Sequence, residues 1–221
     1  MHVVAIASQK GGAGKSTFAV NLAVLADRAG APALLIDMDE QGSLSVWQAL
    51  RNKPSPLVVP CRPEELEEVL DAARRDGRIE WAFLDAPPLS NESVAAMMRS
   101  ASLVLIPARP SVFDIAAIAA TVTMANELRR PFFVALNAVP PRRGAAEGAD
   151  VARARKAISE LKAPLWKGAV THRAAFAQAL ASGQSAAEFD PDGAAAREMQ
   201  ELWSAVTLVA QTVNAGATAR A

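Results

Sequence analysis

The sequence predicts an α/β fold, a doubly wound and mainly parallel sheet flanked by helices. Three observations predict it. Apolar strand-like runs alternate with helical periods along the chain, the pattern of a parallel sheet whose crossovers are helices. Several runs are apolar at nearly every position, as strands buried on both faces must be. The first run, Val3–Ala7, leads into glycines and then into a helical period.

In chain order, strands are expected at 3–7, 33–37, 81–85, 102–107 and 131–137, with weaker candidates at 56–59 and 165–170. Helices are expected at 15–29, 62–76, 91–100, 112–130, 150–161, 173–182 and 194–213. Gly30 suits the end of the first helix because it accepts the left-handed conformation, and Asp150 is expected to cap the helix starting near Val151. Residues 138–149, rich in Pro, Gly and Ala, read as a surface loop. Residues 1–213 are read as one domain and 214–221 as a frayed tail.

Composition bounds the function. A chain of 221 residues, 51% hydrophobic and 21% charged with zero formal net charge, can bury a large core and is not disordered. No apolar stretch approaches the ~20 residues of a membrane span. The N-terminus reads as a strand and not as a leader. One cysteine, Cys61, excludes an internal disulfide framework and fits a reducing, cytoplasmic compartment. His2 and His172 lack ligand spacing, and Trp47, Trp81, Trp166 and Trp203 read as core or interface.

The chemistry begins at Gln9-Lys10-Gly11-Gly12-Ala13-Gly14-Lys15-Ser16-Thr17. Glycines between a strand and a helix let backbone N–H groups turn around an anion, at the positive end of the helix. Lys15 would reach the β- and γ-phosphates of a nucleotide, and the Ser16 hydroxyl would ligate Mg²⁺. The usual spacing places a glycine at position 9; here it is glutamine, followed by an additional lysine, Lys10.

Two further motifs sit at strand ends, where open α/β sheets hold ligands. Asp37 and Asp39 close the second run in Asp37-Met38-Asp39-Glu40-Gln41-Gly42, although a plain turn could also read this way. Asp85 closes the run Trp81–Leu84 and precedes Ala86-Pro87-Pro88, the arrangement that holds Mg²⁺ directly or through water.

Together these motifs resemble the ParA/MinD family of phosphate-loop NTPases, whose deviant Walker A loop reads Lys-Gly-Gly-x-Gly-Lys-[Ser/Thr]-Thr. The resemblance covers residues 1–137 well and the remainder loosely, and is closest to the small, ParF-like branch. It implies that Lys10 crosses a dimer interface to the partner's phosphates, so that ATP drives homodimerisation. It implies catalytic roles for Lys10, Lys15 and Asp39, with Asp39 orienting the attacking water. Ser16, Asp37 and Asp85 would form the magnesium shell. Gly11, Gly12, Ala13, Gly14, Lys15, Ser16 and Thr17 would hold the phosphates. Asn137 would read the adenine edge, although an asparagine ending a strand can simply make a turn. Asp190 and Pro191, in Asp-Pro-Asp-Gly, resemble the loop that closes over the base. Leu105–Ser111 resembles a proline-bearing loop near the dimer face.

Charge distribution bears on partners. Between Arg142 and Arg173 the chain carries eight basic residues (Arg142, Arg143, Arg153, Arg155, Lys156, Lys162, Lys167, Arg173) against Glu147, Asp150 and Glu160, a local excess of +5. Such a face is the footprint of sequence-independent DNA binding, with Arg142, Arg143 and Arg173 as candidate contacts; a solvated helix face is the alternative. The resemblance implies non-specific double-stranded DNA as a partner, nucleoid association, and a ParB-like or cargo-adaptor protein that stimulates hydrolysis. Val206–Ala221 carries one charge, Arg220, so a basic membrane-binding helix is not expected. One cysteine also excludes the bridging iron–sulfur cluster of nitrogenase-iron-protein relatives. Two other functions stay open: an ATP-dependent switch that recruits a protein without DNA, and a metabolic ligase, for which the sequence offers no recognisable substrate pocket.

Overall fold

The computed structural model describes residues 1–86, 91–142 and 146–218. Among these, β1 (His2–Ile6), β2 (Ala33–Asp37), β3 (Leu57–Pro60), β4 (Trp81–Asp85), β5 (Leu103–Ala108) and β6 (Phe132–Leu136) form one sheet in the order β3-β2-β4-β1-β5-β6. Every pairing is parallel. Register aligns the motif-bearing ends: Ile6 lies opposite Asp85, and Asp85 opposite Asp37. Three sequence motifs far apart in the chain therefore emerge at one edge of the sheet.

Alternation along the strands builds two cores. Val4 and Ile6 face α1 (Lys15–Arg28), α2 (Ser43–Leu50), α7 (Ala174–Ala181), α8 (Ala186–Phe189) and α9 (Ala194–Thr218). Val3 and Ala5 face α3 (Leu66–Asp76), α4 (Asn91–Ser100), α5 (Val112–Glu127) and α6 (Ala149–Glu160). Phe18 and Leu22 of α1 are completely buried against the first face, which anchors the helix that opens the glycine loop. Truncating Phe18 to alanine costs about 3–5 kcal/mol on the general scale for core aromatics.

Several expectations are corrected. The segment 165–170 forms no strand; Leu165 meets β6 in an isolated bridge to Val134, and Thr171 bridges Val139 beyond the end of that strand. Pro164 lacks a donor, and the Trp166 and Gly168 carbonyls accept hydrogen bonds from Arg155 (3.2 and 3.1 Å), so a regular ladder cannot continue. Asp150 lies in the first turn of α6, whose cap is Gly148. The last helix continues through Thr218, past the tail boundary expected at 214. The helices α2 and α8 had no counterpart in the sequence reading.

Candidate functional site

The glycine loop spans the gap between β1 and α1. Gly14 caps α1 with φ +101°, a left-handed conformation that strains any side chain. A Cβ there would also overlap the Asn137 side-chain amide. Asn137 is buried at the end of β6 and its Nδ2 donates to the Ala13 carbonyl at 2.7 Å. Its backbone N–H donates to the Ala108 carbonyl, also at 2.7 Å. Asn137 thus ties the glycine loop to the β5–α5 connection, a structural task beyond the base-reading role read from sequence.

Lys15 is buried at the start of α1, whereas Lys10 is exposed at the loop's outer edge. Asp85 is completely buried, and neither carboxylate oxygen has a hydrogen-bond partner in proper geometry among the described residues. Burial pushes its carboxyl up to about 7; the nearby Ser16 hydroxyl and Lys15 ammonium oppose that rise, and Asp37 and Asp39 add to it. A buried acid with idle oxygens beside a lysine and a serine offers donors that could hold a cation.

Asp37 is already engaged. Its Oδ2 accepts the backbone N–H and the hydroxyl of Ser45, both at 3.0 Å, which holds the first turn of α2. Asp39 is half-buried; its Oδ1 accepts the Gln41 N–H at 3.0 Å. No group of three acidic, His or Cys side chains among the described residues forms a ready metal cage. The donor set instead fits Mg²⁺, which is commonly held by one or two carboxylates together with substrate phosphates.

A cavity of about 840 Å³ lies over the glycine loop, lined by Gly14–Thr17, Asp39, Arg109, Asn137 and Arg173 among others; Asp37 and Asp85 are not in its lining. Its volume, and a lining that sets Lys15, Arg109 and Arg173 among mainly uncharged side chains, fit a nucleotide. Arg173, read from sequence as a DNA contact, points into this cavity and bonds Glu198 at 2.8 Å. Glu198 also accepts the Thr171 N–H and hydroxyl at 3.0 and 2.7 Å, making one braced wall. Asp190 and Pro191 do not line the cavity; they form an exposed turn between α8 and α9, closed by Gly193 N–H to the Asp190 carbonyl. Asp-Pro-Asp-Gly is a strong turn signal in itself, and a turn is what these residues form.

The basic excess is also reduced. Arg153 pairs with Asp150, Arg155 with Glu147, Lys156 with Glu160, and Arg173 with Glu198. Arg142 is exposed; Arg143, like Pro87 and Pro88, lies outside the described residues. Arg109, unassigned by the sequence reading, does reach the glycine loop.

A second cavity of about 780 Å³ opens at the ends of β2 and β3, lined by Asp37–Gly42, Cys61, Arg62, Glu65 and Ser93 among others, where the sequence had offered no pocket. Burial, with Glu65 and Glu64, pushes the Cys61 thiol up to about 11, so it stays protonated and unreactive. No helix among the described residues is long and apolar enough to cross a membrane.

Comparison with known proteins places this architecture. Residues 4–186 match the CobQ/CobB/MinD/ParA nucleotide binding domain. A maintenance of carboxysome distribution protein A from Gloeobacter kilaueensis is 37% identical over 122 residues, 55% of each chain. Protein ParA from Rhizobium radiobacter is 33% identical over 114 residues, 52% of this chain and 51% of that one. The matched segments thus span about half the length of these two relatives. An ATP complex of a Cyanothece McdA variant superposes with a TM-score of 0.74 at 20% identity, over 94% of this chain and 96% of that one. That likeness shows a shared fold.

Proposed function

The chain belongs to the CobQ/CobB/MinD/ParA nucleotide-binding family, and from that premise we propose that it is an ATP-hydrolysing positioning switch of the ParA type. The observation that carries the reading is the buried, unpartnered Asp85 carboxylate beside Ser16 and Lys15, at the register position shared with Asp37. In this reading Gly11–Thr17 hold the phosphates, and Ser16 and Asp85 hold Mg²⁺, with Asp37 supporting indirectly through α2. When bound, Mg²⁺ neutralises phosphate charge and fixes the leaving oxygens for displacement.

Asp39 lines the same cavity and spends one carboxylate oxygen on the Gln41 N–H, leaving the other to orient a water. Lys15 stabilises charge spreading over the transferred group, and Lys10 supplies a second cation from the partner subunit. Lys10 is exposed and its side chain bonds no described residue, which supports a role outside its own subunit. Two copies closing on two nucleotides would make the dimer an ATP-timed state, ended by hydrolysis that a partner protein stimulates.

DNA is the proposed track, and the supporting charge is narrower than the sequence count. Arg142, Lys162 and Lys167 are exposed and unpaired among the described residues, and dimerisation would double them. The cargo class follows the relatives: a replicon or a large protein assembly. A duplex-DNA mobility shift across a salt series tests this with Asp39→Ala protein. ATP-dependent, salt-sensitive binding supports the reading; equal absence of binding with ATP and ADP moves the switch to a protein track. The second cavity favours a different reading, a ligase-type enzyme using Asp39-bordered space for a second substrate. Any product beyond ADP and phosphate would support it.

A further inference from the structure

We infer that Arg109 reads the outermost phosphate of the nucleotide bound by its own subunit, a cis arginine facing Lys15 across the glycine loop. The inference rests on the nucleotide reading above and adds a residue to it. A methyl group placed on Gly12 would meet Arg109 Nη2 at 3.6 Å and Cζ at 3.9 Å, so the guanidinium lies against the loop's outer lip. Arg109 also lines the cavity that holds Lys15 and Ser16. Its guanidinium makes no hydrogen bond or ion pair with a described residue, so its donors are unspent.

The platform beneath it is stiff. Pro107 and Pro110 bracket it, each with a fixed φ. The Ala108 carbonyl accepts the Asn137 N–H at 2.7 Å, and the Arg109 carbonyl accepts the Ser111 N–H at 2.8 Å. Ser111 then caps α5 by accepting the Asp114 N–H. Asn137 bonds Ala13 as well, so one side chain ties the platform to the glycine loop. A guanidinium held over the lip loses less freedom on binding than a free arginine, and its planar fork matches two phosphate oxygens.

The position in the loop selects which phosphate. Backbone N–H groups from Gly14 onward point along α1 and hold the phosphate nearest the helix. Gly11 and Gly12, exposed and further out, border the next one. Arg109 therefore contributes to ATP and little to ADP, which makes it a discriminator between the two states of the switch.

The test is equilibrium binding of ATP and ADP to Arg109→Ala and Arg109→Lys proteins in a Lys10→Ala background, which removes the partner's lysine. Arg109→Ala is expected to weaken ATP about tenfold or more while ADP changes less than about threefold, with Arg109→Lys between, as for loss of a charge-assisted pair. An unchanged ATP-to-ADP ratio, with Lys15→Ala still abolishing both, overturns the inference and leaves the nucleotide reading intact. An effect seen only when Lys10 is present overturns the cis assignment. Full nucleotide binding by Lys15→Ala overturns the site reading itself. Thermal melts check folding, which an exposed side chain without protein partners should not disturb.

Discussion

The Asn137 side-chain amide donates to the Ala13 carbonyl at 2.7 Å, joining the end of β6 to the glycine loop 124 residues earlier. This bond leaves no room for a side chain at Gly14, whose Cβ would overlap the same amide. The loop's shape is therefore imposed from across the sheet as well as by its own glycines.

Asn137→Ala should cost about 1–2 kcal/mol of stability, the scale for a buried hydrogen bond whose acceptor is left unpaired. Nucleotide affinity should fall with it, measured by calorimetry. Gly14→Ala should abolish nucleotide binding, and adding Asn137→Ala should restore only part of it, because φ +101° remains strained for alanine.

Lys15→Ala should abolish nucleotide binding while the fold persists, since the ammonium sits at the cavity and the core lies elsewhere. Binding at wild-type affinity would remove the loop from its phosphate role.

Asp39→Ala should lower ATP turnover by about 10²-fold or more without weakening ATP binding, as expected for loss of a water-orienting group. Phosphate release under single-turnover conditions checks this, and unchanged turnover would exclude Asp39 from catalysis.

A fourth prediction concerns the brace under α2. Arg51 Nη1 bonds Glu188 Oε2 at 2.9 Å, with both side chains buried, and Lys53 bonds the same carboxylate at 2.8 Å. Burial alone would push the Glu188 carboxyl up. The hydrogen bonds from Arg51, Lys53 and the Ser185 N–H outweigh it and hold the group at about 2, against an ordinary 4.5. Its folded value is depressed, so its contribution is complete above the ordinary value and fades as pH falls from about 4.5 toward 2. Arg51→Ala should destabilise by about 3 kcal/mol at neutral pH, with the difference from wild type shrinking in that acid window. Denaturant melts at pH 7 and pH 3 measure it.

The sheet and the glycine loop between β1 and α1 were legible because both are local. Continuous apolar runs such as Trp81–Leu84 announce buried strands, and Gly11–Thr17 announces its turn. What stayed hidden depends on distant partners. The helix α2 starts without an adjacent cap, because Asp37, eight residues upstream of Ser45, performs that task. Arg173 read as a surface charge because Glu198, which holds it, belongs to another helix. Arg109 looked like part of a proline loop until the sheet order set β5 beside β1 and brought it over Gly12. Asp190 and Pro191 lie outside the cavity lining, and their strong local turn signal carries no information about it.

Nucleotide-gated pairing of two chains through Lys10 is the central step of the proposed switch. Light scattering of Asp39→Ala protein with ATP or ADP, beside the Asp39→Ala/Lys10→Ala double variant, measures it directly. Dimer mass is expected with ATP, monomer mass with ADP, and monomer mass for the double variant under both. Dimers that form equally with ADP, or that persist without Lys10, would contradict it.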